Sequence, residues 1–143
     1  MDWIIASVVV VALVGATTAV GLLWRRRQGA ASPLKHEEAP LATGDFGGTF
    51  DGAFGERATL VQFSTEFCSS CPGTRRVLSA LAAEREGVAY LDVDVTHRAD
   101  LVRRFSLLQT PTTLVLDRRG VVRTRIGGAV RRSVVIDRLE EFA

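Results

Sequence analysis

Apolar positions follow three regimes along the chain. From Trp3 to Trp24 they are nearly continuous: 22 residues without a charge, rich in Val, Ala and Leu and closed at each end by a tryptophan. As a helix this run rises roughly 33 Å, enough for a bilayer core of about 30 Å, and tryptophan favours the two membrane interfaces. From Gln28 to about Arg57 periodicity is lost. Gly, Ala, Pro, Thr and mixed charge take over, as in Ala30-Ala-Ser-Pro-Leu-Lys-His-Glu-Glu-Ala-Pro40, which is linker composition. Phe46, Phe50 and Phe54 recur there at helical spacing, but Gly44, Gly47, Gly48, Gly52 and Gly55 weaken any helix around them. A short docking segment is the expectation.

Beyond Thr59 the pattern alternates between strand and helix periods. Thr59 to Phe63 reads as a buried strand, and Val77, Leu78, Leu81 and Ala82 repeat at helical spacing. Val88 to Val93 is a second strand, followed by a short helix with Leu101, Val102 and Phe105 on one face and Thr96 placed to cap it. Thr112 to Leu116 and Val121 to Ile126 flank Asp117-Arg-Arg-Gly120, which has hairpin-loop composition, and Gly127-Gly128 ends the second of them. A last helix is expected from about Arg131 to Phe142, with Val134, Val135, Leu139 and Phe142 on one face. The order is β-α-β-α-β-β-α. A right-handed crossover makes the first two strands parallel, the hairpin adds an antiparallel pair, and helices cover both faces. The expected organisation is a transmembrane helix over 3–24, a linker with a short docking segment over 25–57, and a folded domain over 58–143.

The chain has 143 residues, of which about 85 remain for one small domain with its own core. Net charge is only +2, and the basic residues, nearly all Arg with Lys35 the sole lysine, are interspersed with acids. That is no nucleic-acid footprint. A cleaved signal peptide competes with the membrane anchor, but signal peptides begin with a basic segment and carry a shorter apolar run, whereas Met1-Asp2 has no basic side chain. A buried soluble helix would need a larger protein around it. Arg25, Arg26 and Arg27 directly follow the span, and positive flanks stay inside. The expected location is therefore the cell membrane, single-pass, with the domain on the cytoplasmic side, where a Cys pair is kept reduced.

Both cysteines lie in Val61-Gln-Phe-Ser-Thr-Glu-Phe-Cys-Ser-Ser-Cys-Pro-Gly73, at a strand-to-helix junction. Cys68 is placed at or just before a helix N-terminus, where unpaired N–H groups and the positive end of the macrodipole favour a thiolate. Cys71 falls about one turn later, close enough for the pair to cycle between dithiol and disulfide. By itself Cys-x-x-Cys fits a redox helix, half a zinc site or two buried cysteines.

Thr59 to Phe142 resembles thioredoxin. Phe67-Cys-Ser-Ser-Cys71 stands where the family carries Trp-Cys-Gly-Pro-Cys, and Thr110-Pro111-Thr112 stands where it has a cis-proline loop; Phe105-Ser-Leu-Leu-Gln-Thr-Pro111 keeps the family's spacing. The resemblance implies a three-layer α/β/α sandwich with a mixed sheet, preceded here by one N-terminal transmembrane helix. It makes Cys68 the attacking and Cys71 the resolving thiol, and Phe67, Thr110, Pro111 and Gly127 the substrate-binding surface. Pro111, if cis, brings its loop against the disulfide and frees the Thr110 backbone to pair with an extended substrate, although a trans turn proline looks the same in sequence.

The chain departs from the family in several places. Gln62 occupies the position of a buried Asp that helps move protons to and from the resolving thiol, and Tyr90 that of the Asp's lysine partner. Gln cannot titrate, so proton transfer is left to water or Ser hydroxyls. Ser69 and Ser70 replace Gly-Pro and are placed to donate to the Cys68 sulfur. Arg76 stands where the family has a helix-kinking proline, while Pro72 comes directly after Cys71, a tolerated first-turn position. His97 reads as a solvated residue, His36 as linker, Glu66, Arg75 and Arg76 as surface charges, and Asp92 and Asp94 as strand-end carboxylates.

The function implied is thiol–disulfide exchange by a membrane-anchored oxidoreductase, with protein disulfides and an electron donor as partners, the membrane engaged through residues 3–24, and a monomer as the expected state. No metal and no cofactor beyond the Cys68–Cys71 pair is required. The alternative is a thioredoxin-fold adaptor or metal-handling module, but a zinc site needs about four ligands, and two cysteines with two poorly placed histidines do not readily complete one. An extracytoplasmic domain is the alternative topology, by analogy with tethered relatives of the family.

Overall fold

A computed structural model of the chain describes residues 2–27, 31–33, 40–47 and 54–141. Its elements are α1 (Asp2–Arg27), β1 (Ala31–Pro33), a 3-10 turn (Thr43–Phe46), β2 (Ala58–Ser64), α2 (Cys71–Glu84), β3 (Val88–Asp94), α3 (Ala99–Arg104), β4 (Thr112–Asp117), β5 (Val122–Gly127) and α4 (Arg132–Glu140). The helix α1 contains the apolar span Trp3–Trp24, with a mean hydropathy of 2.3 and none of it buried by the rest of the chain. It is long and apolar enough to cross a membrane, a test that a signal sequence also passes.

The strands form one mixed sheet in the order β1-β5-β4-β2-β3. Only β2 and β3 are parallel; β4 pairs antiparallel with β2 and with β5. Every residue of the central strands β2 and β4 is buried, as expected of strands covered on both faces. On one face Ala58, Leu60, Val115 and Ile126 pack against Leu78 and Leu81 of α2 and Val135 and Leu139 of α4. On the other, Val61, Phe63, Leu91 and Leu114 pack with Leu101, Phe105 and Phe46. Asp117 ties the β4–β5 turn: its carboxylate accepts from the Arg119 and Val121 N–H groups and from the Arg123 guanidinium at 2.8 Å. Gly120 closes that turn at φ +77, with the Leu41 carbonyl so near that a Cβ would lie 2.4 Å from it.

Three places differ from expectation in detail. First, residues 25–57, read as a linker with a short docking segment, also hold the end of α1 and a strand. The helix continues to Arg27, Ala31–Pro33 adds a strand to the sheet, and Phe46 is fully buried, stacked on Phe105 at 5.3 Å and edge-on to Phe54 at 6.2 Å. Leu41 N–H donates to the Gly120 carbonyl, and Asp45 pairs with Arg104. A three-residue strand is too short to show a period, and the glycines that weaken a helix leave a single turn free to seat one aromatic ring. Phe50 and Phe142 lie outside the described residues. Second, Cys68 lies before the helix N-terminus, but Cys71 is the first residue of α2 rather than one turn inside it. Third, Thr96 does not cap α3. Arg98 is the N-cap residue without a side-chain bond, and Thr96 Oγ1 instead donates to Asp94 and accepts from the Glu66 N–H.

Phe46→Ala should therefore behave as a core truncation and cost about 3–5 kcal/mol. Denaturant unfolding of the full chain in detergent checks this, and a change below about 0.5 kcal/mol would return the segment to the status of a linker.

Candidate active site

The chain leaves the top of β2 at Ser64 and turns through Thr65 and Cys68 before α2 starts. Cys68 N–H donates to the Thr65 carbonyl at 3.2 Å, and Cys71 N–H to the Cys68 carbonyl at 3.3 Å. Those turns bring the Cα atoms of Cys68 and Cys71 to 5.4 Å, and the sulfurs are joined in a disulfide. Cys68 is partly exposed, whereas Cys71, the first residue of α2, is only 3% exposed. Pro72 sits in the first turn, where an N–H has no intrahelical partner to lose.

The Thr110–Pro111 peptide bond is cis. Its loop is held to the same end of the sheet: Thr110 and Thr65 hydroxyls meet at 3.2 Å, Thr112 Oγ1 donates to the Gln109 carbonyl at 2.7 Å, and the Gly128 N–H donates to the Pro111 carbonyl at 2.8 Å. Gly127 leaves room for the Gln109 side chain, whose Nε2 lies 2.2 Å from where a Cβ would be. Phe67 and Leu108, 86% and 96% exposed, flank this end.

A continuous family-model match to thioredoxin covers residues 47–141. The chain belongs to the thioredoxin family. It is 28% identical over 111 residues to the thioredoxin of Mycolicibacterium smegmatis, covering 76% of this chain and 98% of that one. It is 34% identical over 58 residues to thioredoxin domain-containing protein 2 of Homo sapiens, 41% of this chain but only 10% of that protein, so the chain spans about a tenth of that relative's length. Among solved structures it resembles Fasciola hepatica thioredoxin, with a TM-score of 0.53 at 22% identity over 62% of this chain and 84% of that one. It also resembles thioredoxin-2, a component of malaria parasite protein secretion machinery, with a TM-score of 0.56 at 17% identity over 76% and 98%. These likenesses show the thioredoxin fold.

Against that family pattern, the ground behind Cys71 is neutral. Gln62 is fully buried, its Nε2 donates to the Cys71 carbonyl at 3.1 Å, and its Oε1 accepts from the Tyr90 hydroxyl at 2.9 Å. The two positions where the thioredoxin family has Asp and Lys are thus joined by a neutral hydrogen bond. Burial first, and then the nearby Asp92 carboxylate, push the Tyr90 hydroxyl up to about 12, so it stays protonated and remains a donor. Asp92 in turn pairs with Arg75 and accepts from Ser64 Oγ at 2.7 Å. Thr74 and Thr113 are buried, and their hydroxyls have no hydrogen-bond partner among the described residues. Thr74 is one turn beyond Cys71, on the same helix face, and Thr113 is the β4 neighbour of Gln62.

The two serines differ. Ser70 Oγ lies 3.9 Å from the Cys68 sulfur, a weak contact, while Ser69 is exposed and makes no side-chain hydrogen bond among the described residues. His97, Glu66 and Arg76 are exposed, and His36 lies outside the described residues. Sequence reasoning left out Leu108, Thr74 and Thr113. The adjacent Leu107 and Leu108 carried a signal, since a loop that buries one of two consecutive leucines must expose the other. The threonines carried none, because a buried Thr in a strand or helix reads as ordinary packing.

Tyr90→Phe should cost about 1 kcal/mol by leaving the Gln62 carbonyl oxygen without its donor. Because the chain has one tyrosine, ultraviolet titration of the wild type reads this group alone. Phenolate formation should lie well above the ordinary value of about 10. The neutral form's contribution to stability is present below that value and is lost as pH rises through the folded one. Gln62→Asp is one methylene too short to keep both hydrogen bonds and should cost about 1–3 kcal/mol. It also supplies a titrating acid and should speed reduction of a model disulfide near neutral pH; an unchanged rate in the folded variant means the proton already has a sufficient route.

Proposed function

We propose that this thioredoxin-family protein is a membrane-anchored thiol–disulfide oxidoreductase that exchanges disulfides with protein partners. The observation that carries the reading is the Cys68–Cys71 disulfide at the start of α2, with Cys68 the more exposed residue and the cis Thr110–Pro111 loop at the same end of the sheet. In the reduced protein the Cys68 thiolate, favoured by the helix N-terminus, bonds to one sulfur of a partner disulfide. The other partner sulfur leaves as a thiolate and takes a proton. Cys71, once deprotonated, attacks the Cys68 sulfur of this mixed disulfide, the second partner sulfur leaves, and the 68–71 bond forms again. Two electrons and two protons have moved to the partner.

Each remaining residue has a part in that exchange. The Thr110 backbone pairs with an extended partner segment, and Phe67 and Gly127 border it. Since Gln62 cannot accept a proton and Tyr90 keeps its own, the proton of Cys71 passes to water or a serine hydroxyl. Among the described residues, Ser70 is the serine placed to donate to the Cys68 sulfur.

Cys71→Ser should trap mixed disulfides through Cys68, and Cys68→Ser should trap few. Non-reducing electrophoresis after incubation with insulin checks this, alongside insulin reduction by the full chain in detergent. Predominant trapping by Cys68→Ser reverses the assignment of roles, and absence of both turnover and adducts favours a non-redox adaptor.

The apolar helix α1 acts in this reading as a retained anchor, and the arginines that follow it support a cytoplasmic domain. A membrane-impermeant maleimide, applied to intact cells after mild reduction, should leave Cys68 unlabelled until lysis. Labelling without lysis places the domain on the outer side.

A further inference from the structure

The strand β1 determines where the anchor meets the domain. It pairs antiparallel with β5, with Ala31 opposite Ile126 and Pro33 opposite Thr124. β5 rises toward the disulfide end, since its last residue, Gly127, is opposite Thr112, which directly follows Pro111. β1 therefore descends from that end, and the chain before Ala31 leaves the sheet there. Ala31, Ile126, Thr113 and Gln62 form one row across four adjacent strands, and Gln62 donates to the Cys71 carbonyl. At about 4.8 Å between strands, the row is roughly 14 Å long.

The covalent reach on the other side is equally short. α1 ends at Arg27, and only Gln28, Gly29 and Ala30 separate it from Ala31. Even fully extended, that stretch spans at most about 14 Å. To turn the disulfide end away from the membrane, the tether would have to run back along the length of β5, about 20 Å for its 6 residues. It cannot reach. Among the described residues, the two large apolar side chains exposed outside α1, Phe67 and Leu108, stand at this same end, which is the end the short tether holds toward the bilayer.

We infer that the partner of the Cys68–Cys71 disulfide is an integral membrane protein that presents a cysteine pair in a short loop at the bilayer surface. This rests on reading α1 as a retained anchor. A thiolate of the partner attacks Cys68 Sγ, the 68–71 bond breaks, and Cys71 leaves as a thiolate and takes a proton. The partner's second thiolate attacks its own sulfur in the mixed disulfide and releases Cys68, which is protonated in turn. The partner is oxidised to a disulfide and this chain is reduced to a dithiol, two electrons having passed between them.

The test uses the full chain in proteoliposomes with two synthetic single-span peptides as probes. One carries a reduced cysteine pair next to its span, and the other carries the same pair on a rigid helical spacer of about 40 residues, roughly 60 Å long. Oxidation of the near peptide should be at least tenfold faster, because both reactive pairs are confined to one thin layer. A Gly-Ser insertion of about 20 residues between Gly29 and Ala30 should bring the ratio toward one while leaving insulin reduction in detergent unchanged. Equal rates for the two peptides, or faster oxidation of the far one, with the wild-type chain floating on the vesicles, overturn the inference and leave the anchor standing. A chain that does not float with vesicles sinks the anchor itself and the inference with it.

Discussion

Parallel strands cannot be joined by a hairpin, so the pairing of Ala58–Ser64 with Val88–Asp94 obliges the chain to return through a crossover helix. That helix must start at the end of the sheet where β2 finishes. Its first turn, with Cys71 at its head and Cys68 in the turn before it, is thereby set at one end of the sheet. β4 runs against β2 and so begins at that same end, which delivers Thr110 and Pro111 to the disulfide from a segment some forty residues distant. No local preference of the Cys-x-x-Cys stretch could do this. The site is a consequence of strand direction, and the buried side chains of β2 and β4 are what hold the direction.

Burial also explains the character of the ground behind the disulfide. A carboxylate at Gln62, with no exposure to water, would need a partner or a raised pKa. The amide avoids the problem, giving its N–H to the Cys71 carbonyl and its oxygen to Tyr90. Charge is kept at the edge, where Arg75 meets Asp92 beside water. The arrangement favours a well-fixed first turn of α2 over a titrating group.

Legibility in the sequence followed the length of each element. The six- and seven-residue strands and the α2 and α4 faces were readable, because burial on one or both sides imposes a period over enough residues to detect. The cysteine pair was readable as chemistry, though only family resemblance distinguished it from a half zinc site, and only resemblance pointed to a cis bond at Pro111. Ala31–Pro33 was not readable. It has no room for alternation, and its partner strand is almost a hundred residues away, so nothing local marks it. Phe46 was noticed as part of an aromatic repeat, yet its burial depends on a cavity made by Phe63, Phe105 and Phe54, residues that only the fold brings together. Cys71 was read one turn inside α2 rather than at its head because a tight turn and a helical turn share the same three-residue spacing.

The segment between the apolar helix and the domain thus has two jobs that pull on it from opposite ends. The Leu41–Gly120 hydrogen bond fastens its later part to the hairpin turn of β4 and β5 and Phe46 seats it against Phe63 and Phe105, while Ala31–Pro33 fastens its earlier part along the free edge of β5. A sheet edge left open is a template for pairing with other chains, and β1 covers that edge only over the half nearest the disulfide. Because the cover is made by the residues that follow α1, the pairing that closes the edge leaves only three residues between that helix and the sheet. With α1 as the proposed anchor, a longer linker on the same domain would keep the chemistry and lose the orientation.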